Sequence, residues 1–219
     1  MKSYFFTALC VFICINASAQ IARGTKFAGL ALNFNGANTN NQNTDYSYKQ
    51  KNWGIGLNPE YAAFLKDNFA LGIGLNFSYG GSKSESSNLD SQSSSRSINT
   101  NYSIRPFIRN YKMLGQKFGI FLHSSFSASI GKQKTKNSNE EGNSENQYNT
   151  LGLGLSVGPG IVYFISEKWV VEATTGSAGF YYTSSKSISP SSTYKNTNFG
   201  ADFNVGLNSW GLGLKYYFQ

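Results

Sequence analysis

Apolar and polar residues alternate along most of this chain. From Phe69 to Tyr79 the odd positions read Phe69, Leu71, Ile73, Leu75, Phe77 and Tyr79, while Ala70, Gly72, Gly74, Asn76, Ser78 and Gly80 occupy the even ones. A period of two with unlike faces is the mark of a β-strand. The same large face recurs at Ala28, Leu30, Leu32 and Phe34, at Trp53, Ile55 and Leu57, at Tyr102, Ile104, Pro106 and Ile108, and at Phe118, Ile120 and Leu122. It returns at Leu151, Leu153, Leu155 and Val157, at Trp169, Val171 and Ala173, and at Trp210, Leu212, Leu214, Tyr216 and Phe218. Eight strands are therefore predicted. Phe203, Val205 and Leu207 have the parity opposite to Trp210 and its successors, which predicts a β-bulge near Asn208 and Ser209. No run from Ile21 onward is long enough and free enough of polar side chains for a spanning helix.

The connections alternate in kind. Short turns fall at 66–68, 111–117 and 166–168; long stretches rich in Ser, Asn, Lys and Glu fall near 38–50, 81–97, 132–147 and 183–198. Such compositions cannot bury a core, so the long stretches are expected as four mobile external loops. Pro59, Pro106 and Pro159 sit in near-repeats ahead of the short turns. In a closed barrel there is no edge to hide them, and each is expected to cost a ladder hydrogen bond or mark a distortion.

The small face decides which side is inside. A solvent face would carry Lys and Glu, whereas Gly, Ala, Ser and Asn suit the crowded interior of an eight-stranded barrel. The large residues then face lipid, as in a transmembrane β-barrel with aromatic girdles at both interfaces. Trp169, Phe69, Phe118, Tyr61 and Phe218 are expected at the short-turn end. Trp210 stands about 20 Å above Phe218, and Trp53 roughly 27 Å above Phe64, against an apolar band of about 25 Å. Trp53, Trp169 and Trp210 are accordingly read as girdle residues.

Composition fits this picture: charged residues make up 14% of the 219 and aromatics 16%, against roughly 25% charge in an ordinary soluble domain. Lys2, an apolar stretch from Tyr4 to Ile15 and the sequence Ala17, Ser18, Ala19 predict a signal peptide over 1–19, with the barrel domain over 20–219. Cys10 and Cys14 both fall in that segment, so the exported chain is expected to hold no disulfide or thiolate metal site. Removing Lys2 from the 19 basic residues leaves 18 against 11 acidic ones, a net charge of +7. At the short-turn end Arg23, Lys26, Lys66, Lys112, Lys117 and Lys168 outnumber Asp67 and Glu167, which points to anionic lipid headgroups. Nucleic acid is not an expected partner of an exported chain.

Several stretches together resemble the outer membrane protein β-barrel domain family, the small eight-stranded barrels grouped with OmpX-like and porin-family proteins of Gram-negative bacteria. They are Leu57 to Tyr61 followed by Phe64 to Gly72, then Arg105 to Tyr111, and the ending Gly213 to Phe218. The resemblance covers essentially the whole exported chain. It implies an outer membrane location, an all-β, eight-stranded antiparallel up-and-down barrel, and a carboxyl-terminal signal for the barrel-assembly machinery, carried here by Gly213, Tyr216 and Phe218. Gln219 follows the aromatic residue at which many members end. The resemblance supplies no catalytic residues.

Strand parity places Glu60, Arg105, Arg109, His123, Glu172 and Lys215 on the inward face near the short turns. Bare ions there are too costly, so they are expected to pair, either as a plug that seals the barrel or as a gate on a narrow conducting path. His123 is the only histidine, and Ser124 beside it points to the opposite face, so no serine–histidine couple is expected. No metal or cofactor is expected. Glu140, Glu141 and Glu145 are read as a solvated charge run. The expected role is that of a monomeric surface or structural protein, with Tyr46, Tyr48, Tyr148, Tyr181, Tyr182 and Tyr194 near its external loops available to a partner. A narrow porin-like channel for ions or small solutes is the alternative, and a lipid-modifying enzyme a distant third.

Overall fold

The computed structural model describes residues 20–43, 46–88, 91–140, 142–188, 193–204 and 210–219. The expected signal peptide and the expected bulge at Asn208 and Ser209 lie outside them. Ten strands form one antiparallel sheet: β1 (Lys26–Gln42), β2 (Tyr46–Lys66), β3 (Phe69–Asn88), β4 (Ser91–Met113), β5 (Phe118–Asn139), β6 (Gly142–Phe164), β7 (Trp169–Thr175), β8 (Ser177–Ile188), β9 (Thr193–Asn204) and β10 (Trp210–Phe218). β1 to β6 pair in sequence order. β7 and β8 both continue from β6 and make up one stave; β9 and β10 make up another, β9 against β8 and β10 against β7. β10 returns to β1 over Lys26–Leu30 and closes an eight-stave barrel. Above Leu30, β1 pairs with β2, and no β1–β9 ladder forms among the described residues.

The break between β7 and β8 has a local cause. Between Ser177 and Thr175 lies only Gly176, at φ 66°, a left-handed conformation that glycine adopts without strain. Opposite it, β6 changes partner from β8 at Val157 to β7 at Gly160, so the extra residue is a bulge beside Gly158 and Pro159. Pro59 and Pro106 interrupt ladders without shifting register. Pairing between β2 and β3 skips from Leu57↔Phe77 to Glu60↔Gly74, and between β4 and β5 from Ile104↔Ala128 to Phe107↔Ser125. Each gap follows from a residue with no N–H to donate.

Large residues of the alternating pattern face outward, from Leu30 and Ile55 to Ile73, Phe77, Leu153 and Leu214. Phe64 departs from its expected place: it lies one position out of phase with Trp53 and is buried inside, so it is no reference point for the outer girdle. The inward face is not uniformly small either. Toward the short turns it carries Phe27, Phe64, Phe107, Tyr111, Phe121, Val162, Val170 and Tyr217, which form the core. The rings of Phe27 and Tyr217 stack 5.2 Å apart, and those of Phe64 and Tyr111 lie at 5.4 Å. The segment ahead of β1 folds over this core. Ile21 is buried in it, its N–H donates to Asn68 Oδ1 at 2.9 Å, and the Arg23 N–H donates to Asp67 Oδ1 at 2.8 Å.

Among the described residues the long polar stretches are largely strands. Strands β1 to β6 run 17 to 23 residues, about 40–60 Å of height at roughly 2.5 Å per residue, whereas the apolar band needs about 25 Å. The hairpins therefore continue well beyond lipid, so the stretches expected as four mobile external loops are largely paired into strands among the described residues. A ladder satisfies its own backbone whatever its side chains, so polarity alone does not end a strand. Cross-strand contacts help: Ser86 and Ser93 hydroxyls meet at 2.7 Å, and Lys136 lies 3.3 Å from Glu145. Lys83, hydrogen-bonded to Glu85 at 2.5 Å, holds that carboxyl below the usual range. Tyr181 and Tyr182 pair with Gly154 and Leu153, which makes them part of the barrel wall and not of an external tip.

Candidate functional site

The inward charges sit directly on the aromatic core. Arg109 is their centre. Its Nη1 donates to Glu172 Oε2 at 2.8 Å, and its Nη2 donates to Glu60 Oε1 and Oε2 at 3.0 and 3.2 Å. Its Nε donates to His123 Nδ1 at 2.9 Å, so the His123 ring carries its proton on Nε2. The guanidinium also lies over the rings of Phe107, Phe27 and Phe121 at 4.9, 5.2 and 5.1 Å, a placement that favours a cation. Lys215 pairs with Glu60 and reaches within 4.0 Å of Glu172. The hydroxyls of Tyr111 and Tyr217 each donate to Glu172 Oε1 at 3.3 Å.

Two carboxylates thus meet two cations, all four buried. Their charges cancel and their polar atoms are hydrogen-bonded, the condition under which ions are tolerated in a low-dielectric interior. Register explains how they fit. Along one register row, Lys215 pairs with Gly29, Gly29 with Glu60, Glu60 with Gly74, and Gly74 with Arg105. Each charged side chain stands beside a residue with none. A Cβ on Gly29 would run into the aliphatic stem of Lys215.

Arg105 is different. It belongs to the same register row but forms no ion pair among the described residues, and its Nε is buried without a hydrogen-bond partner. It lines a chamber of about 670 Å³ above the network, shared with Asn58 and His123 and reaching Leu32, Phe34 and Leu212 at the β1–β10 seam. Sequence parity alone missed the aromatic floor and the two tyrosines. A signal was present: Phe27, Phe64, Phe107, Tyr111, Phe121 and Tyr217 all lie within a few residues of a turn or chain end, on inward parity.

The other residues singled out from the sequence lie on the outside or in the last strand. Trp53 packs against Tyr79 at 5.3 Å near the hairpin end, and Trp169 against Tyr216 at 5.1 Å near the short turns. The Trp210 backbone pairs with Thr175, and its side chain lies outside the described residues. Tyr216 and Phe218 stack at 6.1 Å, and Phe218 meets Tyr61 at 6.4 Å. Gly213 pairs with Glu172, beside Lys215. Among the described residues there is no group of three side chains able to hold a metal ion. Glu145 is engaged by Lys134 and Lys136; Glu141 lies outside the described residues.

A model of the outer membrane protein β-barrel domain matches residues 5–218. No curated protein matches the chain. Among solved structures, the outer membrane protein OprG from Pseudomonas aeruginosa is similar, at 12% identity over 90% of this chain and 97% of that one, with a TM-score of 0.48. A major outer membrane protein from Thermus thermophilus is 14% identical over 90% and 100%, with a TM-score of 0.45. Ail, the attachment invasion locus protein of Yersinia pestis, is 13% identical over 90% and 99%, with a TM-score of 0.32.

Proposed function

The chain belongs to the outer membrane protein β-barrel domain family, and from that premise we propose that it is a monomeric, non-conducting barrel of the outer membrane that carries surface-exposed hairpins for interaction. The observation behind this reading is the closed short-turn end. An aromatic core spans the interior, a neutral ion network lies over it, and Ile21 packs in from the other side. That layer does not conduct on this reading. On this reading Glu60, Arg109, Glu172, Lys215 and His123 form a plug that sets register. A gate would require the core and the network to part together.

The signal peptide delivers the chain for export, and Gly213, Tyr216 and Phe218 present the assembly signal from the last strand. Arg23, Lys26, Lys66, Lys112, Lys117 and Lys168 contact anionic headgroups of the inner leaflet. The barrel acts as no enzyme in this proposal: His123 spends its one acceptor on Arg109 and has no nucleophile to activate.

Single-channel recording tests the plug. Mature protein refolded in detergent, with its fold verified by heat-dependent gel mobility, is expected to give no discrete steps in a planar bilayer. Reproducible steps that change with Glu60→Gln would replace the plug with a gate. An epitope inserted at residues 140–141 is expected to be labelled on intact cells, and its protection would overturn the surface display of the β5–β6 hairpin.

A further inference from the structure

We propose that the outer wall across β5, β6, β8 and β9 is a binding site for an outer-leaflet lipid carrying more than one phosphate, its headgroup on Lys132, Lys186 and Lys195. The inference rests on the outer membrane location and on a row of side chains brought together by register. Lys132 pairs with Asn149, Asn149 with Lys186, and Lys186 with Lys195. Four adjacent strands at about 4.8 Å spacing put the three lysines along some 15 Å of one register row, which runs obliquely up the wall because the strands are tilted. Directly beneath, Ile130 pairs with Leu151, and Ile130 and Leu151 are exposed large apolar residues of the outer face.

The row therefore stands where the apolar band ends and the external hairpins begin. Tyr102 adjoins it, at a height where amphipathic rings favour the membrane interface. These residues line one groove of about 860 Å³, polar above and apolar below. Lys132, Lys186 and Lys195 form no ion pair among the described residues, and Glu145, further up β6, is already engaged by Lys134 and Lys136. Three uncompensated cations over an apolar wall complement a molecule with several anionic oxygens at one end and acyl chains at the other. Phosphates accept from the ammonium groups, while the chains run down over Ile130 and Leu151. At an interface a lysine keeps its head at headgroup level while its stem covers the apolar wall.

The test uses mature protein folded in a neutral detergent and native mass spectrometry with bisphosphorylated lipid A as the probe. Binding is expected, with a loss of at least ten-fold in the triple variant Lys132→Gln, Lys186→Gln, Lys195→Gln. The pair Lys49→Gln, Lys51→Gln, which removes external charge elsewhere, is expected to stay within two-fold of the unaltered protein. Heat-dependent mobility confirms that each variant is folded. Fully dephosphorylated lipid A is expected to bind at least ten-fold more weakly; equal binding would reduce the groove to apolar contact and overturn the proposal. Phosphatidylglycerol, with one phosphate, is expected to fall below lipid A. Equal affinity would overturn the assignment to a headgroup with several phosphates. Displacement of lipid A by an equal concentration of inorganic phosphate would show a bare anion site and no lipid site. A triple variant that binds as well as the unaltered protein would also overturn it.

Discussion

Arg109 is the hub of the buried network, since it binds Glu60, Glu172 and His123 while lying over three rings. Removing one partner from a buried ion network leaves the others uncompensated, which costs about 3–5 kcal/mol. Arg109→Gln is therefore expected to lower unfolding stability by that amount in urea titrations of the refolded protein, because it leaves two buried carboxylates to share Lys215. Glu60→Gln should cost less than Arg109→Gln, since it leaves Glu172 to face Arg109 and Lys215. A reversed order would mean that Arg109 is not the hub. Gly29→Ala tests register packing in the same row. The new methyl group meets the Lys215 stem, and overpacking of this kind costs about 1–3 kcal/mol. Inward parity of all these residues was legible in the alternation, but which carboxylate met which cation was not. Sequence separations of 49 and 63 residues divide Arg109 from Glu60 and Glu172, and only strand register brings them together.

Elements here obey two different rules along their length. In the lower half of each stave, burial inside and lipid outside specify register, because a slip by one residue would turn every large side chain inward. In the upper half both faces are polar and only the ladder and exposed pairs remain. Such pairs contribute little: Glu145→Gln, which breaks contacts to Lys134 and Lys136, is expected to change stability by less than about 1 kcal/mol. Deleting 132–147 should correspondingly leave heat-dependent gel mobility intact while removing any surface binding that the β5–β6 hairpin carries; a barrel that fails to fold would show that this hairpin directs assembly. Polar composition was a sound sign that these stretches lie outside the membrane. It did not tell whether they pair into strands, since antiparallel hydrogen bonding needs no apolar side chain. The prolines were more informative, for Pro59 and Pro106 mark the two ladder gaps.

On the scale of the whole molecule, the two ends of the barrel differ in what fills them. A short-turn end filled by an aromatic core and an ion network, with an excess of lysine and arginine around it, gives an asymmetric particle. Replacing Lys66, Lys112, Lys117 and Lys168 with Gln is expected to reduce the preference for vesicles containing phosphatidylglycerol over neutral ones by several-fold, measured by the yield of refolding into each. An unchanged preference would remove anionic headgroups as partners of that end. The closure of the barrel is itself a whole-molecule property, with β10 pairing on one edge to β1 over five residues and on the other to β7 over Trp210–Tyr216.

The all-β class, the number of staves, the face that meets lipid and the end that is short were all legible in the chain before any fold was known. Those features follow from local periodicity and turn chemistry, which each segment carries without reference to the others. The rest came only with folding: the aromatic floor, the neutral quartet of Glu60, Glu172, Arg109 and Lys215, the glycines that make room for it, and the lysine row on the outer wall. Each of these depends on how far one strand is shifted against the next. Register is a collective outcome of closing a ring, and no single strand contains it.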